Sequence, residues 1–360
     1  MGNATNSSDD QLLWIYEAIR IVDLTCLVIY CVVFVLGILG NSLVIYVTGY
    51  RMKRTVNSVW FLNLALADFL FTAFLIFSII SLSQNTQWQF GRLMCKLNSF
   101  VSVVNMFASI FVLTAISLDR CLSIWVVVWA QNKRTVCKAQ VISAVIWVTA
   151  VICSIPYATF RDVTEHQGML FCSSSASKTQ RYNLMIFRFV IGFLIPFLLI
   201  FVSYVAIAVR AGRLQRTRRR RSRKIIFSIV LAFFICWLPF HVVQFIQSTE
   251  NPNLFVAVRI AGPLSGSLAF LNSCLNPILY VFMCDEFQKK LKESICSVLE
   301  SALAEDHLSY MSSRSLSSQL SRISRKSDAA TPLDAKGSTS KFKFAECNVL
   351  STEEKKSENF

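Results

Sequence analysis

Asp68 is the only acid in the middle of any long apolar run of this chain. A carboxylate inside such a run is costly and by default marks function. Asn41, Asn105, Ser109, Asn272, Ser273 and Asn276 stand inside other apolar runs and are the available partners. A carboxylate with several amide and hydroxyl oxygens is a donor set for a small hard cation such as sodium. A protonated Asp68 that only ties helices together is an equal alternative. A second charged group, Asp119-Arg120-Cys121, closes the apolar run that begins near Cys95. Cys95 precedes Asp119 by 24 residues, about 36 Å of helix, which is a bilayer with its interfaces. On the same run Asn98, Ser102, Asn105 and Ser109 step by four, three and four and share one helical face. Arg188 precedes Pro196 by eight residues, about 12 Å of helix. A cation there either lines a cavity or snorkels to the membrane interface.

These residues need a helical membrane bundle to hold them. Apolar segments of spanning length run over Ile21–Val47, Val59–Leu82, Leu93–Val126, Ala139–Tyr157, Leu184–Val209, Ile225–Ile246 and Val258–Met283. None alternates as a membrane β-strand does. The fold class is therefore all-α, a seven-transmembrane bundle over 21–284. Residues 285–299 form a short amphipathic stretch, with Phe287, Leu291, Ile295 and Leu299 recurring every four. It is expected on the membrane surface, with Cys296 as a palmitoylation site. Residues 300–360 read as a disordered Ser-rich tail. Prolines at 196, 239 and 277 fall inside three segments and permit kinks.

Of the residues, 54% are hydrophobic and only 16% are charged, against about 25% charged in soluble domains. The net charge of +15 borders apolar segments, the membrane pattern, and no nucleic-acid module accompanies it. Basic residues gather in the first, third and fifth connections, placing these and the C-terminus in the cytoplasm at the plasma membrane. The N-terminus, 1–20, is then outside, and its sequons make Asn3 and Asn6 glycosylation sites. Outside, Cys95 and Cys172 are expected to pair, because exposed thiols in an oxidising compartment do. His166, His241 and His307 are dispersed, so no catalytic constellation forms and no enzyme is expected. A transporter, the distant alternative, would more often show repeats or broken helices in matching halves.

Taken in order, Gly40-Asn41, Leu64-Ala65-Leu66-Ala67-Asp68, Cys95, Asp119-Arg120-Cys121, Trp147, Pro196 with Tyr204, Cys236-Trp237-Leu238-Pro239 and Asn276-Pro277-Ile278-Leu279-Tyr280 resemble the rhodopsin-like G-protein-coupled receptors. Trp129-Ala130-Gln131-Asn132, Arg188 to Phe193 and Ser267 to Cys274 are similar to the chemoattractant branch, with its formyl-peptide and chemerin receptors. Asn105 to Ser109, Phe160-Arg161-Asp162 and Val298 to Ser301 also resemble the chemoattractant-type prostaglandin D receptor.

The resemblance implies a receptor that activates a Gi-type G protein and binds arrestin after phosphorylation of the tail around Ser309 to Ser327. It implies an anionic ligand, a lipid mediator such as a prostaglandin or a peptide C-terminus. A formyl-peptide or chemerin-like ligand is the alternative. Val103 and Leu184 stand where formyl-peptide receptors place an acid and a second arginine, which disfavours formylated peptides. The implied ligand-contacting residues are Arg188, Arg161, Asn98, Ser102, Trp237, Phe240 and Arg259. No cofactor is implied beyond an allosteric sodium ion held by Asp68, Asn105, Ser109, Asn272 and Asn276. The implied activation switch comprises Asp119, Arg120, Tyr204, Phe233, Trp237, Pro239, Asn276, Pro277 and Tyr280, with Arg120 paired to Asp119 at rest. No acid opens the sixth segment, so a cross-helix ionic lock lacks its partner, and the usual proline after the motif is replaced within Val126-Val127-Val128.

Overall fold

The computed structural model describes residues 3–211, 218–283 and 289, with the side chains at 3–12, 129, 131, 211, 218–226, 229 and 279–283 left out. The amphipathic stretch 285–299 (Lys289 apart), Cys296 and the tail 300–360 fall outside the described residues.

Seven helices are long and apolar enough to cross a membrane. They are α1 (Asn3–Tyr46), α2 (Val56–Ser83), α3 (Gly91–Trp125), α5 (Val136–Thr159), α6 with α7 (Lys178–Phe189 and Ile195–Ala211), α8 (Arg218–Ser248) and α9 (Phe255–Met283). A short α4 (Val127–Lys133) lies between α3 and α5. That loop is helical without the missing proline.

Helix starts follow local chemistry. Thr55 and Ser58 exchange side-chain and backbone hydrogen bonds in a capping box before α2, and Ser177 with Gln180 does the same before α6. Each satisfies N–H groups that a helix end leaves unpaired. Thr135 caps α5 by accepting from Lys138 N–H. The first helix starts at Asn3 rather than near Ile21, because 3–20 hold few helix breakers. Its 44 residues extend about 66 Å, twice a hydrocarbon core, so one end must project beyond it. Asn3 and Asn6 fall on that projecting backbone.

The bundle is built around α3. Of its apolar window 72% is buried, against 17–39% for the other spans. Phe107, Ile110 and Leu113 of α3, Leu64 of α2 and Phe233 of α8 are fully enclosed in one core cluster. The outer faces are the reverse. Val141, Val145, Val148, Ile152 and Ile155 form an exposed stripe along α5. In water such a stripe would be an aggregation liability, whereas lipid covers it at no cost. The chain is a multi-pass membrane protein.

Between α6 and α7 the fifth span widens into a π-turn at Val190–Leu194, closed by Ile195 N–H donating to Val190 O. Pro196 follows immediately. It offers no N–H, so the carbonyl a turn earlier lacks its helical partner, and the wider turn absorbs the defect.

The loop after α5 forms a hairpin, β1 (Arg161–His166) and β2 (Met169–Ser174), with Val163 opposite Cys172. Its two-residue turn places Gln167 at φ 51° and Gly168 at φ 77°. Both positive angles fit the turn twist that antiparallel strands require. Alternation in so short and polar a stretch gave no sequence sign of it.

Candidate functional site

Three sites line the axis of the bundle, and the outer one comes first. Cys172 of β2 is bonded to Cys95 of α3, with Cα atoms 5.6 Å apart, as expected. Arg92 joins Asp162 at 2.8 Å, and Trp88 N–H donates to Leu170 O at 2.7 Å. The hairpin is thereby fastened to α3 and to the loop before it. This places Arg161, at the start of β1, beside Arg188 of α6. Burial first, and then the Arg188 guanidinium, pushes Arg161 below the usual arginine range.

The Arg188 guanidinium carbon lies 4.4 Å from the Tyr157 ring centroid and 5.6 Å from that of Phe240. Its Nε is buried without a hydrogen-bond partner. Tyr157 is fixed by donating to Leu184 O at 2.7 Å. Arg188 therefore faces the interior, not the lipid interface. No acid pairs with it or with Arg161 among the described residues. A cation on aromatic walls with a second cation nearby and no acid paired to either among the described residues is suited to an incoming anion.

Trp237 and Phe240 meet edge to face at 5.7 Å, and Trp237 stacks on Phe233 at 5.8 Å. The Trp237 Nε1 is also buried and unpartnered. Asn98 donates to Ser78 Oγ at 3.0 Å, and Ser102 donates to the Asn98 carbonyl at 2.8 Å, so both already have partners. Arg259 stands apart; it is exposed and its electrostatic partner is Asp23 of α1. His241, treated from sequence only as a scattered histidine, is buried among Phe189, Phe193, Trp237 and Phe240 with Nε2 unpartnered. Tyr157 and His241 carried no sequence signal, since an aromatic in an apolar helix looks like core.

At mid-depth Asp68 is wholly buried. Asn276 Nδ2 donates to its Oδ2 at 2.7 Å. With the Asn105 amide turned to satisfy its neighbours, Nδ2 donates to Asp68 Oδ1 at 3.1 Å and Oδ1 accepts from Ser273 Oγ at 3.0 Å. The same Nδ2 lies 3.3 Å from Ser109 Oγ. Of the candidate partners, Asn105, Ser109, Ser273 and Asn276 are thus gathered around Asp68. Asn272 is buried beside them, but no bond to Asp68 is formed among the described residues. Asn41 turns to the Gly37 and Ser273 carbonyls, both at 2.9 Å. The cluster's oxygens suit a small cation, which Asp68, Ser109 and Ser273 would hold; among the described residues no His, Cys, Asp and Glu cluster forms a transition-metal site.

At the end of α3 remote from Cys95, Arg120 is not paired with Asp119, contrary to the sequence expectation. Arg134 takes the carboxylate instead, with Nε to Oδ1 at 2.8 Å and Nη2 to Oδ2 at 2.9 Å. Arg120 Nη2 donates to Asn57 Oδ1, an oxygen that also accepts from Arg134 Nη2 at 2.7 Å. The geometric reason is that a bidentate fork satisfies both carboxylate oxygens, which an adjacent arginine on the same helix does not match. Asn57 and Arg134 were missed as site residues; Arg134 read only as one more cytoplasmic charge. Nearby, Tyr204 meets Phe227 edge to face at 5.4 Å. Pro239 and Pro277 lie inside α8 and α9, as does Pro263. The Tyr280 side chain lies outside those described.

A seven-helix bundle with this disulfide, this buried acid and this Asp-Arg pair has a family counterpart. Residues 40–280 match the 7 transmembrane receptor (rhodopsin family) model. The chain belongs to that family, in its chemoattractant branch. It is 39% identical to chemerin-like receptor 1 of Sus scrofa over 327 residues, covering 85% of this chain and 90% of that one. It is 40% identical to the C3a anaphylatoxin chemotactic receptor of Danio rerio over 281 residues, 78% of each. It is also 38% identical to formyl peptide receptor-related sequence 1 of Mus musculus over 307 residues, 80% of this chain and 87% of that one.

Proposed function

We propose that the chain is a plasma-membrane chemoattractant receptor that binds an extracellular anionic ligand and activates a Gi-type G protein. The N-terminus faces outside and the C-terminus the cytoplasm. The ligand is a lipid acid or the C-terminal carboxylate of a peptide. The observation that carries this reading is Arg188. Its guanidinium is enclosed by Tyr157 and Phe240, lies near a second cation, Arg161, and has no acid in reach among the described residues. A buried unpaired charge costs several kcal/mol, roughly, unless a ligand supplies the counter-charge. Trp237, below Phe240 and stacked on Phe233, connects that pocket to the lower half of α8.

Relatives named for chemerin, C3a and formyl peptide favour a peptide source for the carboxylate over a lipid. Asp68 with its amide and hydroxyl partners is proposed to hold a sodium ion. Arrestin would dock on the phosphorylated tail, with Asn3 and Asn6 glycosylated and Cys296 palmitoylated. The test is inhibition of cAMP in cells by prostaglandin D, chemerin-like peptides and formyl peptides. Each acid is run beside its neutral ester or amide. A response to one acid and not to its neutral partner is expected. Silence to all three at verified surface expression sinks the ligand assignment.

A further inference from the structure

Asp119, Arg120, Arg134 and Asn57 form a closed set at the inner ends of α2, α3 and α5. Both oxygens of Asp119 are engaged by Arg134, and the pair is largely sheltered, the side chains being 11% and 23% exposed respectively. Arg120 is left with the neutral Asn57 oxygen, which it shares with Arg134, and its Nε is buried without a partner. Two guanidinium groups on one neutral acceptor repel each other, so the Asp119 charge decides the local balance. Among the described residues no acid forms an ion pair with Arg120. Between Glu165 and Glu250 the chain contains no Asp or Glu, so neither the fifth nor the sixth span can offer Arg120 a carboxylate.

Arg134 is itself held firmly. It follows the α4 helix and directly precedes Thr135, whose hydroxyl caps α5. One carboxylate therefore has two competing cations, one on its own helix and one on the second cytoplasmic loop.

We infer that Arg134 is a positioning residue of the G-protein switch: it occupies both oxygens of Asp119, which leaves Arg120 on the neutral Asn57 oxygen and available to a cytoplasmic partner. The loop, not a sixth-helix acid, sets the resting state of Arg120. Loss of Arg134 returns Asp119 to Arg120 and lowers ligand-independent signalling. Loss of Asp119 removes what Arg134 controls. This inference rests on the G-protein reading.

The experiment uses the full-length receptor in lipid nanodiscs with Gi heterotrimer and measures ligand-free nucleotide exchange per folded receptor. The variants are Arg134→Gln, Asp119→Asn, the two combined, and Arg134→Lys. Arg134→Gln is expected to lower exchange roughly fivefold or more, and Arg134→Lys by less, since lysine keeps the charge without the fork. In the Asp119→Asn background, Arg134→Gln is expected to change exchange by less than about twofold. Unchanged or raised exchange in Arg134→Gln, or an equal drop in both backgrounds, overturns the inference. Thermal melts of the same four proteins close a double-mutant cycle on the pair itself. Additive melting shifts also overturn it. A wild-type receptor that drives no exchange on any heterotrimer sinks the G-protein reading, while the melting cycle still decides the pair.

Discussion

Asn276 Nδ2 donates to Asp68 Oδ2 at 2.7 Å, across 208 positions of sequence, and so ties the seventh span to the second at mid-depth. The bond fills one carboxylate oxygen, and the Asn105 amide reaches the other. A cation entering this cluster would compete with amide N–H groups for the carboxylate and recruit the hydroxyls of Ser109 and Ser273.

Sodium should therefore raise the melting temperature of the wild-type receptor relative to choline at equal ionic strength. At tenfold its Kd a bound ion contributes about 1.4 kcal/mol. Asp68→Asn should melt at one temperature in both salts. An identical sodium response in the two proteins would show that Asp68 is only a hydrogen-bonded tie between helices.

Arg188→Ala should reduce the potency of an acidic agonist at least about thirtyfold, because removing one partner of a buried charge pair typically costs 2–5 kcal/mol. The neutral ester of that agonist should lose far less. Equal losses for acid and ester would mean that Arg188 shapes the pocket without reading charge. The measurement is a pair of concentration–response curves.

Cys172→Ser opens a covalent link across 77 residues of chain. Stability should fall by about 2–5 kcal/mol, read as a lower melting temperature and reduced surface expression. The Arg92–Asp162 ion pair alone is too exposed to hold the hairpin, since surface pairs contribute about 0–1 kcal/mol. A melt unchanged by Cys172→Ser would assign the anchoring to Trp88 and the strand contacts.

Gly40 packs against the seventh span so closely that an added Cβ would lie 2.8 Å from Pro277 Cβ. The pyrrolidine ring cannot swing aside. Gly40→Leu should destabilise by about 1–3 kcal/mol through overpacking. Gly49→Ala, with open space around its Cα, is the control and should melt as wild type does. Equal melts for Gly40→Leu and wild type would mean that the first and seventh spans separate readily here.

The seven spans and the Asp68 cluster were legible because a membrane makes polarity informative: an acid or amide amid apolar residues has few reasons to be there. Asn105, Ser109 and Asn276 stood among six polar candidates inside apolar runs, and the family resemblance narrowed that set. The hairpin was not legible, since its pairing depends on two positive φ angles at Gln167 and Gly168, and neither residue pair nor strand composition advertises them. Arg134 was invisible for another reason. Its role depends on how α4 returns the chain to Asp119 across fifteen residues, and helical periodicity says nothing about a loop's path. Arg120 was assigned Asp119 as its resting partner through the family resemblance, which carries no information about where Arg134 of this chain's loop lies. Asn98 and Ser102 share the expected face, yet their hydrogen bonds are spent within the bundle.

The widened turn at Val190–Leu194 has a consequence for how the receptor's recognition could drift. One added residue in a helix rotates everything beyond it by about 100°. Arg188 lies just outside that turn, so its inward aim is a matter of phase as well as identity. A single-residue deletion between Val190 and Leu194 would keep every pocket side chain in the sequence and still point the guanidinium at the lipid tails. Ligand choice in this protein is thus partly encoded in a count of residues.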